Sequence, residues 1–204
     1  MARTLLVGLL LLSALALPAQ AADLARYQKP EVERAIATLT REAILAHVSG
    51  RPYAPSALPE ALRQPGGVFV TISQDGVTRG CWGTVHPQEA SLAREITVSA
   101  VKALSHDYRQ RPIHPRELPQ LVAHVSIIGP LVPLNAIQTL QPRRHGLLVT
   151  APGKGGLLLP GEALTASWAL ATCRKKAGLK AHERASMYRF DTAVVGPVSL
   201  HPEE

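Results

Sequence analysis

Gly67-Val68-Phe69-Val70-Thr71-Ile72-Ser73-Gln74-Asp75-Gly76-Val77-Thr78-Arg79-Gly80-Cys81-Trp82-Gly83-Thr84 is the stretch on which the fold turns. Two runs rich in β-branched and aromatic residues flank Asp75-Gly76, a dipeptide favoured in two-residue hairpin turns. The pattern predicts an antiparallel hairpin. With Asp75 and Gly76 as the loop, Ile72 faces Arg79, Val70 faces Cys81, and Phe69 pairs with Trp82 on the other face. A longer turn would shift that register. Residues i and i+2 share a face of a strand, so Arg79 and Cys81 are expected side by side. A guanidinium beside a thiol favours the thiolate, the reactive form of cysteine. Gly80 and Gly83 remove side-chain bulk where a ligand or another backbone can come close.

Outward from the hairpin, the spacing of apolar residues predicts a helix over Pro30–Val48. Pro30 suits a first helical position, and Val32, Ile36, Leu39 and Ala43 recur at helical intervals. Gly50 and Pro52 end it, and residues 51–66, with four prolines, form a connecting segment. A second helix is expected over Gln88–Ser105, with Leu92, Ile96, Ala100, Ala103 and Leu104 as its apolar stripe. A proline-rich surface stretch, His106–Pro119, follows. Strands are expected at Val122–Ile128, Gly146–Thr150 and Tyr188–Val195, and a helix at Glu162–Lys176. Pro152-Gly153-Lys154-Gly155-Gly156 reads as a flexible turn. Helices and strands mix without a regular β-α repeat, which predicts an α+β fold. Its form is a mixed or antiparallel sheet flanked by helices, with a smaller second lobe within residues 106–165 and a cleft near Arg79-Gly80-Cys81.

The ends and the composition bound what the chain can be. Residues 1–21 have the form of a signal peptide. Arg3 is a basic start, Leu5–Leu17 an apolar run, Pro18 a break, and Ala19-Gln20-Ala21 a small-x-small cleavage site. The apolar run is short for a bilayer span, so contact with the membrane is expected only through the uncleaved signal peptide. A domain over residues 22–204 remains, long enough to bury a core without metal or disulfide help. The formal charge of the 204-residue chain is +7, spread along it apart from a cluster at Arg174-Lys175-Lys176. Aromatic residues make up only 4%, which argues against a stacking platform and hence against nucleic acid as a partner. The basic cluster reads as a solvated helix face.

Taken in order, these residues resemble the AMMECR domain family over nearly all of the mature chain. The resemblance rests on Gly67-Val68-Phe69-Val70-Thr71, Arg79-Gly80-Cys81-x-Gly83, Asp107-x-Arg109 and Glu117-Leu118. It continues through His145-Gly146-Leu147-Leu148-Val149, Gly156-Leu157-Leu158-Leu159-Pro160 and Cys173-x-x-Lys176-Ala177-Gly178-Leu179. Departures include Trp82 where the family usually has Ile, Gln110 for Phe, and Gly161-Glu162 for Gln-Val. The resemblance implies an α+β domain with a smaller lobe and a cleft by the Arg-Gly-Cys motif, but no established reaction. It also implies a pathway shared with a Memo-like protein and a radical-SAM protein as candidate partners. This chain lacks a cluster-binding cysteine triplet, so it is not itself the radical-SAM component, and no cofactor is expected. Familiar members are cytoplasmic or nuclear, so export sets this chain apart.

Several residues are candidates for chemistry. Cys81 is either a nucleophile or redox thiol, or a small buried hydrophobe. Arg79 either anchors an anion by its planar fork or forms an ion pair with Asp107 or Glu117. His145 is a candidate general base for Cys81. Gly80, Gly83, Asp107 and Arg109 are candidate ligand-binding residues. The histidines lack metal-ligand spacing, so no metal site is expected. Gly153-Lys154-Gly155-Gly156 lacks the Ser/Thr ending of a phosphate loop. Export favours a Cys81–Cys173 disulfide if the Cα atoms lie within about 7 Å. The resemblance, which places both cysteines in relatives from reducing compartments, favours two unbonded thiols. Two functions follow. One is an enzyme or enzyme accessory that binds a small anionic ligand around Arg79-Gly80-Cys81. The other is a non-catalytic protein-interaction module in which that motif is structural.

Processing is directly testable. N-terminal sequencing of the exported protein is expected to begin at Ala22, and an intact Met1 in a purified membrane fraction would refute cleavage.

Overall fold

A computed structural model describes residues 24–55, 57–107 and 109–201; the expected signal segment and its Ala19–Ala21 cleavage site lie outside them. Helix α1 runs over Pro30–Val48, as its proline start and glycine stop predict. It buries Val32, Ile36, Leu39, Ala43 and Ile44 on one stripe. Strands β1 (Val68–Gln74) and β2 (Val77–Thr84) form the expected antiparallel hairpin. Asp75 and Gly76 both take positive φ, the backbone of a type I′ turn.

The register differs from the one expected. Gln74 pairs with Val77 and Ser73 with Thr78, but Ile72 then pairs with Gly80, leaving Arg79 as an extra residue. This β-bulge moves every later pair by one. Thr71, not Val70, opposes Cys81; Phe69 opposes Gly83, and Trp82 opposes Val70. Packing explains the bulge. A Cβ on Gly80 would stand 2.1 Å from the Ala103 carbonyl oxygen, so the strand meets helix α2 (Leu92–Ala103) backbone to backbone at that point.

Helix α2 starts at Leu92, the first residue of its apolar stripe, and not at the expected Gln88. Ser91 Oγ accepts the Arg94 N–H, and the buried Glu95 carboxylate accepts from the N–H groups of Gln88 and Glu89. Residues 88–91 are thereby held as a capping turn. Strand β3 (Val122–Ile128) falls where expected and completes, with β8 (Thr192–Ser199), an antiparallel sheet of order β2-β1-β3-β8. Val70, Ile72, Val125 and Ile127 pack from this sheet into one core with Ile36, Ile44, Ile96 and Ala100 of the two helices.

A second antiparallel sheet has the order β4-β7-β5-β6, from Val132–Pro133, Ser186–Phe190, Gly146–Ala151 and Lys154–Leu158. Helix α3 (Ala166–Lys176) packs on it, with Ala169 and Cys173 buried against Leu147, Val149 and Leu158. Three expectations change here. The glycine-rich turn is mostly strand β6, since only Pro152-Gly153 turns and a Cβ on Gly156 would lie 2.0 Å from the Cys173 carbonyl oxygen. The single C-terminal strand is two strands, β7 and β8, in different sheets with Asp191 between them. The second lobe is drawn from residues 132–190, because the stretch up to Ile128 belongs to the first sheet. A small cluster of Ile128, Leu148, Leu159 and Phe190, flanked by Phe69 and Val85, joins the two sheets.

Gly80→Ala drives a Cβ against the Ala103 carbonyl, a backbone group that cannot swing away. We expect a loss of about 1–3 kcal/mol, read as a lower denaturant midpoint with an unaltered slope. A midpoint within error of the parent would show that β2 and α2 separate at little cost.

Candidate functional site

Where the two sheets meet, a cleft of about 280 Å³ opens. From the first sheet come Phe69, Cys81, Trp82 and Gly83; from the segment after α2 come His106, Asp107 and Arg109. The facing wall is Gly155, Gly156 and Leu157 of β6, with Leu159, Glu162 and Lys176.

Asp107 organises the near wall. Its side chain is 3% exposed. Oδ2 accepts the backbone N–H of Cys81 at 3.1 Å, and Oδ1 accepts the Arg109 N–H at 3.1 Å. The Arg109 guanidinium closes a two-pronged pair, Nε to Oδ1 and Nη2 to Oδ2, both at 2.7 Å. The Arg109 bond holds the carboxyl below the usual range against the opposing effect of burial. Unlike Asp107, the Arg109 side chain is 45% exposed.

Cys81 is not an activated thiol. Its Sγ accepts a bond from the Thr71 hydroxyl at 3.3 Å. Burial pushes the thiol up; the Thr71 bond and Arg109 pull it down, while Glu162 and Asp107 raise it further. At neutral pH it is therefore a neutral SH. Cys173 is unbonded and fully buried, its Sγ donating to the Leu147 carbonyl at 3.4 Å, and burial pushes it up to about 12.

The structure brings Cys81, Gly83, Asp107 and Arg109 to the cleft and leaves three other candidates elsewhere. The bulge carries Arg79 to Glu117, with Nη2 2.8 Å from Oε2 and both side chains mostly buried. This is the ion-pair alternative. Gly80 meets the end of α2, so the approach it permits is that of a backbone, not a ligand. His145 does not line the cleft. It is buried in the second lobe, with its Nδ1 facing the Gln141 N–H at 3.3 Å and its Nε2 facing Arg189 Nη1 at 3.0 Å. Burial lowers its pKa, and Arg189 lowers it further.

Sequence reasoning missed Phe69, Trp82, His106, Glu162 and Lys176 as site residues. The basic cluster read as one solvated face in fact divides. Arg174 binds the carbonyls of Lys180, Ala181 and Glu183, whereas Lys176 reaches the cleft and donates to the Leu157 carbonyl at 2.9 Å. Trp82 meets the His106 ring edge-on, centroids 5.6 Å apart, and Lys102 Nζ stands 5.6 Å from its centroid. The Glu162 carboxylate is occupied locally by the Leu159 N–H at 2.9 Å, which holds the turn before α3. Among the described residues no cluster of three or more metal-ligating side chains occurs.

The profile of the AMMECR1 family matches residues 37–195. A protein of Thermotoga maritima is 37% identical over 139 residues, covering 66% of this chain and 80% of that protein. One from Methanocella arvoryzae is 31% identical over 178 residues, covering 78% and 90%. Among solved structures, an uncharacterized protein of Pyrococcus horikoshii superposes with a TM-score of 0.74 at 27% identity. That match covers 81% of this chain and 91% of the other.

The Asp107 pair sets a pH dependence. A carboxylate whose folded pKa lies below its unfolded value of about 3.9 adds stability above that value, and the addition is lost as pH falls through the folded pKa. Asp107→Asn is expected to be less stable than the parent at pH 7. The gap should narrow steadily below pH about 4, as followed by urea denaturation at each pH. A gap that stays constant into acid would mean that the charge of Asp107 contributes nothing.

Proposed function

Because the chain belongs to the AMMECR1 family, we propose that it is a binding module or enzyme accessory whose inter-sheet cleft takes a small anionic ligand without forming a covalent bond to it. One observation carries this: the charges of the cleft are disposed unequally. The Asp107 carboxylate is turned inward onto backbone N–H groups, while Arg109, on the same wall, and Lys176, on the other, are exposed. A carboxylate or phosphate entering between Arg109 and Lys176 is drawn to those two cations, and the exposed Glu162 carboxylate of the same cleft opposes it. Phe69, Trp82, Leu157 and Leu159 supply apolar surface for the rest of the molecule. The raised thiol of Cys81, and the placement of His145 in the other lobe, favour binding over nucleophilic chemistry.

A protein-recruiting role has separate support. Arg79 and Gly80 serve the fold, as that role requires, and Leu164 and Trp168 are 81% and 52% exposed at the start of α3. A Memo-like or radical-SAM pathway partner, suggested by the family, belongs to this role. Export through residues 1–21 is part of the same proposal.

The anion site is tested in a Trp168→Phe background, where Trp82 is the sole tryptophan. Titration with 3-phenylpropionate is expected to change Trp82 emission and to slow alkylation of Cys81. Lys176→Gln is expected to weaken binding about tenfold, which 1.4 kcal/mol gives. Binding of equal strength in Lys176→Gln, or Cys81 alkylating at its free rate with ligand present, would overturn the proposal.

A further inference from the structure

We infer that the anion is the terminal carboxylate of an extended peptide, whose backbone pairs with the outer edge of β6. This rests on the anion reading of the cleft and narrows it to a substrate class.

The inference begins with the register of the second hairpin. Pro152-Gly153 is a two-residue loop, and Ala151 pairs with Lys154 across it. In an antiparallel ladder, pairs that exchange hydrogen bonds alternate with pairs that exchange none, and the pair flanking a two-residue loop is of the bonded kind. Lys154, Gly156 and Leu158 therefore turn their N–H and C=O groups toward β5. Gly155 and Leu157 turn theirs outward, and β6 is the last strand of its sheet. One contact on β6 agrees with this alternation. The Leu157 carbonyl receives Lys176 Nζ, a group that lies off the sheet. Across the cleft, the Cys81 N–H points away from β1 and is met by the Asp107 carboxylate. That second contact is a carboxylate already seated on a strand edge, the kind of bond a peptide terminus would make.

The β6 edge lies in the cleft wall, with Lys176 Nζ on its Leu157 carbonyl. The sheet face over Gly155 is open, a Cβ there having no atom within 4 Å. Exposed strand edges are templates for a further strand. A peptide laid along Gly155 and Leu157 would bring its carboxylate to Lys176, whose ammonium has three donors and gives one to Leu157. Its last side chain would lie among Phe69, Trp82 and Leu159. The volume of about 280 Å³ is at the small end of ligand pockets, which span about 300–1,000 Å³, and so suits a chain end and not a folded domain.

The test uses the Trp168→Phe protein and four probes: N-acetyl-Ala-Phe with a free carboxylate, its C-terminal amide, its analogue N-methylated at Phe, and 3-phenylpropionate. N-acetyl-Ala-Phe is expected to bind about tenfold tighter than 3-phenylpropionate, the gain of added backbone hydrogen bonds, and the amide and N-methyl forms to lose that gain. Gly155→Pro removes an outward N–H that no ladder bond uses, and is expected to keep the parental thermal midpoint and to lose the gain of the dipeptide. If 3-phenylpropionate binds as well as the dipeptide, or Gly155→Pro binds the dipeptide as the parent does, the peptide inference fails and the anion site stands. If no probe binds, both fail.

Discussion

The bond between the Asp107 carboxylate and the Cys81 N–H is the constraint on which the near wall of the cleft depends. Cys81 lies on an edge strand, where an N–H turned outward has no neighbouring strand to receive it. A buried carboxylate is costly unless its oxygens are fully engaged. Each group meets the other's need, and Arg109 supplies the balancing charge from the same short segment. The edge is closed to strand addition at that residue while a cation is held at the mouth of the cleft. One side chain thus sets both the backbone and the electrostatics of the wall.

The three residues of the Arg-Gly-Cys motif serve three different surroundings. Arg79 belongs to the ion pair with Glu117, whose carboxyl is lowered to about 2, first by the His114 N–H and then by Arg79. Gly80 belongs to the contact with α2, and only Cys81 faces the cleft. The bulge makes this division. A regular strand would have put Arg79 and Cys81 on one face; an extra residue at Arg79 separates them.

What was legible in the sequence was local. Pro30 and Gly50 delimit α1, and Asp75-Gly76 announces the hairpin, because those residues act through their own backbone geometry. The α+β class followed from the order of such elements. The bulge was not legible, since it answers to the Ala103 carbonyl in a distant helix. Strand β6 was hidden because Gly155-Gly156 has the composition of a turn, and the approach of α3 explains the missing side chain at Gly156 alone. Of the site, Cys81 could be read from its strand beside the hairpin turn, and Asp107 and Arg109 from the Asp107-x-Arg109 motif of the family resemblance. Lys176 could not, because a lysine at a helix end looks the same whether it faces water or a second sheet.

The order of the strands also bears on how the chain is completed during synthesis. All of the second sheet, residues 132–190, is inserted between β3 and β8 of the first. A chain emerging from its N-terminus presents β1, β2 and β3 early, with the β3 edge bare until the last strand arrives. The inserted lobe has all four of its strands beforehand. It is therefore the later-made half of the molecule that can finish first, and the earlier-made half that must wait. During that interval the uncovered side of β3 is the part of the nascent protein most in need of protection from other chains.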